Sequence, residues 1–256
     1  MSVTREGKLL ADHANRTLPL ATACLGEEYF YQSLPLCVID AVWSIGATYE
    51  AVRNVVDRYC KKSGLRKIRT DRDSLPPRSE QEPIAAFCAR VERTGPEKMA
   101  DEVFENHQRT SPKNGILKAE GVYCFSCALR AHRVDCLQDV PEAASSVALE
   151  RDIRSIPGQR SGKSLRYFWM LAGSDELVKP DRMILRFLES ALGRSVSSNE
   201  AQPLLQEAAQ LLRPLHPRLT PRLLDHEIWK YQRKVGRKPS GTQTTCSRER
   251  RVAHLL

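Results

Sequence analysis

Ile156-Pro157-Gly158-Gln159-Arg160-Ser161-Gly162-Lys163-Ser164, followed by Lys179-Pro180-Asp181-Arg182-Met183-Ile184-Leu185-Arg186, are the stretches on which the fold turns. An apolar residue leads into a Pro-Gly turn and a basic helix start, and Leu165 to Leu171 then reads as a buried helix. A lone carboxylate, Asp181, opens a further helix over Arg182 to Leu192 that stops at Gly193, a usual helix C-cap. Two helices joined by a glycine-bearing turn, with a carboxylate heading the next, describe a helical protein.

The pattern extends outward in both directions. From Pro35 to Tyr59 the apolar residues Val38, Val42, Ile45, Tyr49, Val52, Val56 and Tyr59 recur at three- and four-residue steps, which predicts one long amphipathic helix or a broken pair. Helical patterns resume at Ile84 to Val91, Lys98 to Glu105, Gly115 to Arg130 and Leu149 to Ser155. Ser198 or Asn199 caps another through Leu204, Ala208, Leu211 and Leu212, and a last one runs from Pro221 to Arg233, with Trp229 and Tyr231 read as packing. Arg69 to Pro83, with Thr70-Asp71-Arg72-Asp73-Ser74 and Pro76-Pro77, reads as an exposed loop. Strand patterns and internal repeats are absent from the sequence, so the predicted fold class is all-α.

Length, charge and cysteine usage bound the function. The 256 residues can bury a sizeable core, and a formal charge of +9 with a pI near 9.2 favours a polyanionic partner. The first residues, Met1 to Lys8, are charged and lack the apolar core of a signal peptide. The longest apolar stretch, Leu34 to Ala47, is interrupted by Asp40 and too short to span a bilayer. A cytoplasmic protein without membrane contact is expected, nucleoid-associated if bacterial. Of eight cysteines, Cys124 and Cys127 form a C-x-x-C with Cys136 further on, in a helix-like stretch that favours buried, reduced thiols over zinc. Histidines 13, 107, 132, 216, 226 and 254 are scattered without ligand spacing, and no metal site or hydrolase triad is predicted. Beyond Gln232 the chain turns basic and poor in apolar residues, which predicts a disordered tail over 236–256, either scanning DNA or merely solvated.

Gly158 to Ser164 almost spells a nucleotide-binding P-loop, ending in Gly-Lys-Ser. A P-loop needs four residues between its glycines and a preceding strand; here there are three and no strand, so ATP or GTP binding is not expected.

Three segments, in order, resemble the helix-hairpin-helix DNA glycosylases of the endonuclease III superfamily. Cys37 to Tyr49 looks like that family's early helix ending in a Ser-x-Gln-Ala-Thr turn, with Gly46 replacing the glutamine. Ile116-Leu117-Lys118-Ala119-Glu120 is similar to the Lys-Ala-Glu that opens a helix before the hairpin, and the hairpin and Asp181 follow. The resemblance implies two helical subdomains with a cleft between them. Residues 30–145 would form one, and 1–29 with 146–235 the other, which would hold the hairpin (about 149–171) and Asp181. Many relatives carry an iron-sulfur cluster on four cysteines near the carboxyl end; this chain has only Cys246 there, so no cluster and no other cofactor is expected.

The resemblance also implies site residues. Gly158, Gln159, Arg160, Ser161, Gly162 and Lys163 would grip the phosphate backbone of double-stranded DNA through free helix N–H groups, with Arg160 on the second hairpin glycine. Bifunctional members place a Schiff-base lysine where this chain has Gly162. A helical residue turns about 100°, so Lys163 is expected to face away from the pocket. Asp181 matches the aspartate that stabilises the developing sugar cation and orients water, although an N-cap carboxylate is common at such a position anyway. Trp43, Tyr49 and Tyr167 would line the pocket of a base flipped from the duplex. The expected function is a monomeric, monofunctional DNA glycosylase of base excision repair. The alternatives are an inactive helix-hairpin-helix DNA-binding module and a helical protein-interaction domain.

Overall fold

The computed structural model describes residues 3–235, and the predicted tail lies outside them. These residues form α1 (Arg5–Thr17), α2 (Leu34–Trp43), α3 (Tyr49–Ser63), α4 (Ile84–Thr94), α5 (Pro96–Lys98), α6 (Lys118–Ala131), α7 (Val140–Ala143), α8 (Val147–Ser155), α9 (Lys163–Leu171), α10 (Arg182–Leu192), α11 (Ser198–Leu212) and α12 (Pro221–Val235). Among the described residues there is no strand, only isolated bridges between Tyr31 and Ile68 and between Arg109 and Leu117. The protein is all-α.

Local chemistry sets the helix ends. Thr48 and Ser146 cap α3 and α8 by accepting the amide N–H of the third residue on. Ser197 and Glu200 form a reciprocal capping box at α11, while α3 and α10 stop at left-handed Gly64 and Gly193. The long pattern over Pro35 to Tyr59 breaks at Gly46, whose φ of +70 no helix accommodates, giving α2 and α3. Met99–Phe104 winds as a π-helix instead of the expected α-helix. The wider turn keeps Met99, Ala100 and Phe104 buried together, and Arg58 Nε holds its end by donating to the Phe104 carbonyl at 2.7 Å. Helix α1 was not anticipated, because its apolar face is only Leu10, Ala11 and Ala14. Its small residues Ala11 and Ala14 let α11 pack closely against it.

Two hydrophobic cores result. The first is built on α2, buried along its whole length, which α3, α6 and α9 surround. It runs from Tyr31 to Ala172 and takes in Leu149 and Ile153 of α8 and Phe168 and Trp169 of α9. The second joins Leu10, Ala11, Ala14, Leu18 and Leu20 to apolar residues of α10, α11 and α12. The chain thus leaves its first core between Ala172 and Val178, and the hairpin helices share the core of 31–143, not that of α10–α12. At about 1.5–3 kcal/mol for each buried aliphatic side chain, each core is a substantial source of stability. No helix among the described residues is long and apolar enough to cross a membrane.

Candidate functional site

Where the two cores meet, a cavity of about 720 Å³ opens. One wall is the turn between α2 and α3. Lys118, at the first position of α6 and almost fully buried, pins that turn: its Nζ donates to the carbonyls of Trp43 (2.9 Å) and Ile45 (2.8 Å) and to Gln108 Oε1 (3.1 Å). Burial pulls its ammonium down to about 8. The Lys-Ala-Glu segment therefore shapes the lip of the cavity from inside.

A second wall comes from the hairpin. Gly158 has φ +85, and a Cβ there would collide with Thr110, so glycine is required by packing against the protein itself. Pro157, Gly158, Arg160, Ser161 and Lys163 are exposed. Gln159 is not: it is buried, and its side-chain oxygen accepts from Ser164 Oγ, which removes it from any phosphate surface. Gly162, at φ +69, starts α9 without a side chain to cap it, and the Lys163 N–H donates instead to Ser161 Oγ at 3.4 Å. Because the left-handed Gly162 reverses the chain just before the helix begins, the rotation expected of a continuous helix does not apply. Lys163 lines the cavity instead of facing away.

The third wall is the segment that enters α10. Asp181 caps the helix, its Oδ1 accepting from the N–H groups of Met183 (2.8 Å) and Ile184 (3.1 Å), and it also lines the cavity. The N-cap geometry is therefore real and fixes the carboxylate at the cavity wall. Two residues earlier, Lys179 Nζ lies 3.7 Å from the centre of the Tyr167 ring and donates to Ser44 Oγ at 3.1 Å. Burial lowers its pKa, opposed by Asp40, Asp181 and Asp225.

Helix α12 closes the site. Asp225 accepts the Lys179 backbone N–H at 3.0 Å, and burial, reinforced by Asp181, pushes its carboxyl up to about 8. Burial holds His226 down to about 4, so its imidazole is uncharged at neutral pH. Its ring meets Tyr29 edge-on and lies parallel to Trp229. Asp40, from α2, is likewise raised by burial and accepts from Tyr31 OH at 2.8 Å. Arg233 sits over the Trp229 ring at 4.6 Å and the Tyr49 ring at 5.3 Å.

The structure brings Asp181, Lys163, Tyr49 and Tyr167 to one cavity. It excludes Trp43, which is fully buried with its ring against Phe104 and belongs to the first core. Trp229, expected only to pack the last helix, lines the cavity. Asp40, Lys179, Arg222, Asp225 and His226 were not anticipated. Their signals were Asp40 interrupting the most apolar stretch, and a polar-aromatic stripe at helical spacing through Arg222, Asp225, Trp229 and Arg233. Among the described residues no cluster of His, Cys, Asp and Glu is arranged to hold a metal, and Cys246 lies outside them.

No curated protein and no solved structure matches this chain. Residues 8–233 match a family described only as a domain of unknown function, DUF8548. That span contains both cores and every residue lining the cavity, and the chain belongs to this family.

Proposed function

We propose that this chain is a DNA glycosylase, cleaving the bond between a damaged or mismatched base and its deoxyribose, with Asp181 as the essential carboxylate. One observation carries the reading: a single cavity receives Asp181 from the head of α10 and Lys163 from the head of α9, beside Tyr49 and Tyr167. Cleavage breaks the sugar C1′–N bond, whose electron pair leaves with the base, and positive charge develops on the sugar. Asp181 Oδ1 is held by two backbone amides, so the carboxylate is fixed without reorganisation, and its other oxygen stands ready to stabilise the cation and orient water. Water then adds to C1′ and surrenders its proton to the carboxylate or to solvent.

Lys163 is exposed at the start of α9, a setting that suits a phosphate better than the desolvated amine a covalent mechanism uses. The deciding experiment is single-turnover base release over duplexes carrying alkylated, oxidised, deaminated and mismatched bases. Asp181→Asn is expected to slow release at least about 100-fold while leaving duplex affinity within a few-fold. Tight, salt-dependent binding without release would make the chain a DNA-binding module, and absence of duplex binding would sink both readings. A borohydride-stable adduct lost in Lys163→Gln would assign the amine, not water, as nucleophile.

A further inference from the structure

The chemistry of the cavity wall narrows the class of base, on the reading proposed above. Aromatic pockets that accept cationic ligands do so by offering open ring faces, each attractive to positive charge. Here resident cations already sit over three of the cavity's rings: Lys179 over Tyr167, and Arg233 over both Tyr49 and Trp229. An ammonium has three donor hydrogens. Lys179 directs one bond to Ser44 Oγ and rests against the Tyr167 ring. A donor is thus left for an incoming acceptor.

The nearby carboxylates do not invite a second cation. Asp40 is engaged by Tyr31 OH, Asp225 by the Lys179 N–H and Asp181 by two amides. Asp225, pushed up to about 8, is mostly uncharged at neutral pH. The other charged groups lining the cavity are Asp40, Asp181 and Glu50 against Lys163, Lys179, Arg182, Arg222 and Arg233, an excess of positive charge, with Arg222 also paired to Asp175.

We infer that the cavity selects uncharged bases bearing exocyclic carbonyl oxygens, with Lys179 donating to such an oxygen, and rejects cationic alkylated bases. Lys179 is then a specificity-determining residue. A cation placed beside it would meet like charge at short range in a partly desolvated site, and discrimination of about tenfold or more is expected.

Two measurements on the full chain separate this inference from the glycosylase reading. Ligand-observed NMR would compare deoxyuridine and inosine with the cationic nucleosides 7-methylguanosine and 1-methyladenosine. Single-turnover release would compare duplexes carrying uracil or hypoxanthine with duplexes carrying N7-methylguanine. The expected result is at least about tenfold preference for the carbonyl-bearing, uncharged member in either assay, narrowed or inverted in Lys179→Met and kept in Lys179→Arg. Circular dichroism would confirm that both variants are folded; if Lys179→Met is not, retention of the preference in Lys179→Arg together with the wild-type ranking carries the test. Selective nucleoside binding without any base release would uphold the selectivity and sink the glycosylase reading. Equal or better handling of the cationic members, or neither binding nor release of any, would overturn the inference.

Discussion

Asp225 is a carboxylate that the fold keeps at a cost. Its ordinary pKa is about 3.9, and in the folded protein burial raises it to about 8. Between those values the folded state holds a proton that the unfolded state has released, so stability falls as pH rises through that window and levels off above it. Full linkage amounts to about 6 kcal/mol. Asparagine at this position keeps an oxygen to accept the Lys179 N–H and has no charge to desolvate. Asp225→Asn is therefore expected to match the wild type near pH 4 and to exceed it by about 2–5 kcal/mol at pH 8. Urea denaturation at both pH values checks it, and equal stability of the two proteins at pH 8 would show that Asp225 is charged in the fold at no cost. This residue illustrates what the sequence hides. Asp225 reads as one more polar position on an amphipathic helix, and only the approach of the Lys179 segment and of Asp181 makes it part of a site.

At the scale of elements, left-handed glycines in two different turns are required for different reasons. Gly158 and Gly46 have φ of +85 and +70, yet a Cβ on Gly158 would collide with Thr110, whereas one on Gly46 meets nothing within 4 Å. Gly46→Ala should then cost only the left-handed strain, about 1 kcal/mol. Gly158→Ala adds displacement of a packed side chain and should cost about 2–4 kcal/mol. Denaturant midpoints with unchanged m-values read the difference, and equal costs would mean that Thr110 moves aside freely. Elements fixed by local chemistry were legible: the Gly193 stop, the start of α11 and the hairpin turn all follow from nearby residues. Elements fixed by distant partners were not. Helix α1 shows too few apolar residues to be seen without α11, and the π-helix at Met99–Phe104 answers to the first core. Gln159 reads as a phosphate contact from its place in the hairpin that the resemblance implies, but its side chain turns inward to Ser164.

At the scale of the whole molecule, the described residues form two cores with a cavity where they meet, and the chain's positive charge bears on how a polyanion would reach that cavity. Asp181, Tyr49 and Tyr167 were legible from the order of their segments, whereas the cavity floor was not, since it is assembled from α2 and α12 across the two cores. Arg160 and Lys163 stand exposed at the start of α9, and Arg182 lines the cavity at the start of α10. On the proposed function, such a set would position a phosphate backbone across the cavity mouth without reading sequence. Each phosphate neutralised contributes about −0.9 to the slope of log affinity against log salt. Replacing Arg160 and Lys163 together by alanine should therefore weaken duplex binding alike for all sequences and reduce the steepness of that slope by about 2. Fluorescence anisotropy across a salt series makes the measurement. An unchanged slope would remove the hairpin from the DNA surface, whatever the chemistry in the cavity, because a phosphate contact that releases no counterion is not made by these cations.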